Sequence, residues 1–94
     1  MNITIQKHRV HPIWKLYDES RKYLGQILGE TKEGMPALAI TMADILSGKE
    51  LPEFKKEVLS DGSINIYNAE NKRVGAFEKE FKLIANALRW QGQS

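Results

Sequence analysis

Asp61-Gly62, set between two β-rich runs, does most to narrow what this chain can fold into. Asp-Gly is a strong hairpin signal, because a two-residue turn wants positive φ at both central positions. Phe54–Leu59 enters that turn and Ile64–Tyr67 leaves it, both rich in residues that fit a pleated surface. A second turn, Asn68-Ala-Glu-Asn71, follows at once, with Asn71 suited to the left-handed position. Arg73–Glu78 then leaves as the next strand, so the predicted unit is a three-stranded antiparallel meander.

The first thirty residues follow the same logic. Asn2–Val10 alternates, with Ile3 and Ile5 on one side and Thr4, Gln6 and His8 on the other. Pro12 interrupts, as suits a turn or strand edge. Ile13–Asp18 reads as a strand, Asp18–Lys22 as a loop, and Tyr23–Gly29 as the returning strand. Trp14–Ile27 aligns without gaps on Ile64–Phe77 at an offset of fifty, with Tyr17/Tyr67, Lys22/Lys72 and Gly25/Gly75 identical. Two explanations stand open: duplication of halves 1–50 and 51–94, or convergence of strand–turn–strand segments on similar residues.

A helical segment is expected after each set of strands. Pro36–Thr41 reads either as a short strand or as the first turn of a helix. In the first case Thr41 would cap a helix over Met42–Ser47, with Gly48 as its stop. Glu80–Trp90 is the firmer helix, with Phe81, Ile84, Ala85 and Leu88 on one stripe. The expected fold class is therefore α+β: an antiparallel, hairpin-rich sheet with one or two helices on a face, in a single domain over residues 1–94. Its core should include Trp14, Leu16, Ile64, Ile66, Phe81, Ile84 and Leu88.

Composition excludes several functions. With 41% hydrophobic and 28% charged residues, the chain has the apolar surface to bury a core that a disordered chain lacks. There are no cysteines, hence no disulfide framework, thiolate metal site or cysteine nucleophile. His8 and His11 are the only histidines, and with no Cys a zinc site would need distant carboxylates, so no metal is expected. The carboxylates form no pair in an apolar setting that would split their pKa values. Gly25 and Gly29 lack the Gly-Lys-Ser/Thr of a phosphate loop and read as a bulge or close backbone approach. No catalytic residue, enzymatic activity or cofactor is expected. No run approaches the ~18 apolar residues that cross a bilayer, and the N-terminal segment lacks a signal peptide's apolar run; a cytoplasmic protein without membrane association is the expectation.

What remains is a mildly basic N-terminal quarter. Residues 1–25 carry a net charge of +3, residues 26–50 carry −2, and the rest carry +1. The basic residues are interleaved with aromatics: Lys7, His8, Arg9, His11, Trp14, Lys15, Tyr17, Arg21, Lys22 and Tyr23. Period-two alternation places Trp14, Leu16, Ile64 and Ile66 on the core face, and Lys15, Tyr17, Asn65 and Tyr67 on the outer one. Rings beside cations on an open sheet can stack bases while neutralising phosphates. Single-stranded nucleic-acid binding is accordingly the first functional expectation, with Lys15, Arg21 and Lys22 at phosphates and Tyr17 and Tyr67 stacking. The order strand–strand–strand–helix, read twice along the chain, resembles in topology the Whirly and PUR-type single-stranded nucleic-acid-binding folds, which implies the same class of ligand.

An alternative comes from the last helix. Leu83, Ala87 and Trp90 lie roughly opposite Phe81 and Leu88, at ~100° per residue. This second apolar side either packs between the sheet and the other helix or forms an interface anchored by Trp90. On the latter reading the protein is a small protein-binding inhibitor or adaptor, like the regulatory and counter-defence proteins of phages and plasmids, acting through this side or a sheet edge, with a homodimer as one form.

Overall fold

The computed structural model describes residues 3–29 and 35–93. Among these, the elements run β1 (Thr4–Lys7), β2 (Ile13–Tyr17), β3 (Tyr23–Leu28), α1 (Met35–Leu46), β4 (Phe54–Val58), β5 (Ile64–Asn68), β6 (Arg73–Phe77) and α2 (Phe81–Gln93). The fold class is α+β. Six strands form one sheet in the order β1-β2-β3-β6-β5-β4, every neighbouring pair antiparallel. β3 and β6 meet at the centre, and β1 and β4 are the two edges.

The two central hairpins carry one register. β2 and β3 pair Trp14 with Ile27, Lys15 with Gln26, Leu16 with Gly25 and Tyr17 with Tyr23. Adding fifty to each number gives the β5–β6 pairs Ile64–Phe77, Asn65–Ala76, Ile66–Gly75 and Tyr67–Arg73. The register slips at the same place in both, after Leu16 and after Ile66. Their turns match too: Asp18 Oδ1 accepts from the N–H of Ser20 and Lys22, and Asn68 Oδ1 from those of Glu70 and Lys72. Arg21 and Asn71 hold the left-handed position of each, at φ 66° and 63°.

One face of the sheet is covered. Leu16, Ile27, Ile64, Ile66 and Phe77 are buried there against Leu38, Ala39, Met42 and Leu46 of α1 and Ile84, Ala85 and Leu88 of α2. At Gly25 the neighbouring β6 backbone leaves no room for a side chain. A Cβ there would fall against the Ala76 carbonyl oxygen and 2.8 Å from Phe77 Cα, and its φ of 143° disfavours any side chain. The helices also meet each other, with Arg89 Nη1 donating to Asp44 Oδ1 at 2.8 Å.

Several expectations are corrected. Residues 36–41 are helical, and Thr41 lies inside α1 rather than capping it. Pro36 falls in the first turn, where a helix has N–H groups without intrahelical partners and the missing one is harmless. Gly48 does stop the helix, at φ 101°: its N–H donates to Ile45 O and that of Lys49 to Asp44 O, the paired bonds of a Schellman motif. The Asp61-Gly62 turn has three residues, not two. Leu59 N–H donates to Ser63 O, Gly62 N–H donates to Leu59 O, and only Gly62 has positive φ, while Asp61 accepts from Ser63. Of the expected core, Trp14 and Phe81 are half-buried at its margin.

Candidate nucleic-acid interface

With both helices on one side, the alternation of the strands leaves the other side of the sheet uncovered by any described element. The registers set Gln6, Lys15, Gln26, Ala76, Asn65 and Glu57 in one row across all six strands. On one side of that row lie Thr4, Tyr17 and Tyr23, and on the other Lys55, Tyr67 and Arg73. The face is therefore amide-rich, with three tyrosines and a few cations.

Tyr17 and Tyr23 stand edge to face, ring centroids 5.9 Å apart. Tyr23 is 38% exposed. Burial and the nearby Glu78 carboxylate hold its phenol above the usual value, with Arg73 opposing. Tyr67 donates from Oη to Glu57 Oε1 at 3.2 Å, and Asn65 Nδ2 reaches the same oxygen at 3.4 Å. At the β1 rim, Thr4, Gln6, Tyr17, Asp18, Glu19 and Arg21 line a hollow of about 540 Å³. Tyr17 and Tyr67 lie roughly 20 Å apart along a diagonal, from three strand spacings and about four residues of rise.

The residues singled out from the sequence are distributed unevenly. Lys15 is exposed, and Tyr17 and Tyr67 are half-buried, all three on the open face; Arg21 is exposed in the turn that borders it. Lys22 is drawn away: its Nζ pairs with Glu80 Oε1 at 2.6 Å, beside the start of α2 on the covered side. That pairing raises the Lys22 ammonium and lowers the Glu80 carboxyl relative to their ordinary values. The sequence reading missed Tyr23, Lys55 and Arg73 as site residues. The ladder offers the missing signal, because the slip after Leu16 places Tyr23 opposite Tyr17.

In α2 the second apolar side divides. Trp90 is 72% exposed and Leu83, two turns earlier in α2, is exposed too, whereas Ala87 packs partly against the core. The two histidines organise their own loop: His8 Nδ1 accepts from the N–H of Val10 and of His11, and the rings lie 5.0 Å apart. Among the described residues no group of three or more His, Cys, Asp or Glu is gathered as for a metal ion. Nor is any described helix long and apolar enough to cross a membrane. Comparison of the chain with protein-family models, with curated proteins and with solved structures gives no match.

Proposed function

We propose that the protein is a non-enzymatic single-stranded nucleic-acid-binding module whose ligand lies across the uncovered sheet face. The observation that carries this reading is the placing of Tyr17, Tyr23 and Tyr67 on one open face with Lys15, Lys55 and Arg73. Tyrosines on a sheet offer flat surfaces for unstacked bases, and the cations beside them meet the phosphates. Gln6, Gln26 and Asn65 both donate and accept, and can follow base edges or sugars. Arg21 extends the cationic track at the rim, and Lys22, committed to Glu80, is left out of the contact set. Glu57 and Glu78 hold the face near neutrality, so stacking carries more of the affinity than charge. The Whirly- and PUR-like order of elements points to the same class of ligand. We further read 1–50 and 51–94 as tandem pseudo-repeats, supported by the shared register.

The test is fluorescence anisotropy with labelled single-stranded oligonucleotides. Tyr17→Ala should weaken binding about 5- to 150-fold, the worth of one stacked base. Lys15→Ala should weaken it less and flatten the salt dependence. No binding by the parent protein at low salt removes the reading.

A second reading, a protein-binding adaptor or inhibitor, is favoured by the exposure of Trp90 and Leu83 on α2. Large exposed aromatics act as interface anchors. Capture of a partner that survives high salt and is lost in Trp90→Asp would mark this surface as the functional one.

A further inference from the structure

Among the described residues the sheet has two edge strands without a further partner, β1 and β4, and their sequences differ in a way that matters. β4 reads Phe54-Lys55-Lys56-Glu57-Val58, which is self-complementary about Lys56. Set antiparallel to itself with Lys56 at the centre, it places Lys55 opposite Glu57 twice and Phe54 opposite Val58 twice. β1 reads Thr4-Ile-Gln-Lys7 and holds no acid to oppose its lysine.

The backbone is compatible with the same register. Leu59 N–H donates to Ser63 O across the β4–β5 hairpin. Ladder alternation then turns the peptide groups of Lys55 and Glu57 toward β5, and those of Lys56 and Val58 toward the open edge. A pair centred on Lys56 needs those outward groups. Lys56 N–H would meet Lys56 O of the second copy, and Val58 N–H would meet Phe54 O, each twice by symmetry. The remaining outward donor, Phe54 N–H, is already given to Leu51 O at 3.0 Å, so the ladder holds those four bonds and the Phe54–Val58 pairs are made by the Val58 N–H alone.

The side chains agree with this pairing. Val58 is 62% exposed at the edge, a large apolar residue that Phe54 of a second copy would cover. Lysines on an edge strand ordinarily discourage strand addition. Glu57 reverses that for Lys55. Lys56 of each copy faces its counterpart, the one unfavourable pair in this register, and it borders the hollow lined by Ile45, Lys49, Glu50, Leu51 and Phe54.

We infer that the β4 edge is the docking surface for a second copy of this chain, giving a two-fold dimer with one continuous sheet. The inference shares Lys55 with the nucleic-acid reading but does not rest on it, since it uses neither the tyrosines nor a ligand and its test reads mass in the free protein.

Sedimentation equilibrium of the free protein, from about 1 μM to about 1 mM, tests it. The mass should rise from monomer to dimer and stop there. Lys55→Glu alone and Glu57→Lys alone should each be monomeric across the range, because each places like charges opposite one another twice. Their equimolar mixture should regain the dimer, since an edge with two acids then faces an edge with two lysines at both positions; recovery also shows that both variants are folded. Trp90→Asp should leave the association unchanged. A monomer at every concentration, a dimer that survives either charge reversal, a mixture that stays monomeric, loss of dimer in Trp90→Asp, or growth beyond a dimer would each overturn the inference.

Discussion

Arg21 is the residue where fold and proposed function pull apart. It holds φ 66° in the β2–β3 turn, a conformation that costs a side chain roughly 1–2 kcal/mol and that Asn71 tolerates better in the equivalent turn. Arg21→Gly should therefore raise the urea midpoint, by up to about 1 kcal/mol in stability, while weakening oligonucleotide binding. Gly25 is the opposite case: Gly25→Ala should cost about 2 kcal/mol or more, since the Cβ meets backbone.

Acid sensitivity also belongs to single residues. Hydrogen bonds from the Lys22 backbone N–H and the Ser20 hydroxyl hold Asp18 below the usual carboxylate value. The Ser63 hydroxyl and N–H do the same for Asp61, and Lys22 for Glu80. A carboxyl lowered by folding stabilises the fold above its unfolded value, near pH 4, and that stabilisation is lost as pH falls through the folded value. For Lys22, raised by folding, the contribution is present below its unfolded value and lost as pH rises past the folded one. Thermal melts followed by circular dichroism should be flat at neutral pH and fall below roughly pH 4. Asp18→Asn should lessen that fall without unfolding the turn, since Asn68 makes the same bonds in its counterpart.

At the scale of elements, the two central hairpins should be interchangeable in their turns. Replacing residues 18–21 by those of 68–71 (Asp18→Asn, Glu19→Ala, Ser20→Glu, Arg21→Asn) should preserve the fold and hold or raise the melting temperature. The strands are legible where period-two alternation survives, as in β2 and β5, and β4 by the turn that follows it rather than by its Lys-Lys-Glu centre; the Glu80–Trp90 helix is legible because its apolar stripe is regular. Residues 36–41 were ambiguous for a physical reason. Proline is at home in a first helical turn, and Leu38 to Ile40 form an apolar run of the kind a buried strand also shows. The place of the Asp61-Gly62 turn is legible in the sequence but its form is not, because only the ladder shows Leu59, not Ser60, bonded across to Ser63.

At the scale of the whole molecule, the sequence could assign residues to faces but could not say which charges would meet. Lys22 sits in a turn, where alternation no longer fixes direction, and its partner Glu80 is distant along the chain. The bond from Tyr67 to Glu57 depends on β4–β5 pairing, which no local pattern encodes. The pairing of β3 with β6 makes one face of two halves and places Tyr17 and Tyr67 on its diagonal. Affinity should therefore climb with oligonucleotide length until both tyrosines are engaged, at roughly four to eight nucleotides.

Anisotropy titration of the parent protein with a labelled single-stranded oligonucleotide and its duplex, each at about 50 and about 200 mM salt, tests the central claim most directly. The account predicts micromolar binding of the single strand, preferred over the duplex, with log affinity falling against log salt at a slope of about −2 to −3 for three to four phosphate contacts. Binding absent even at the lower salt, or equal for single strand and duplex, would contradict it.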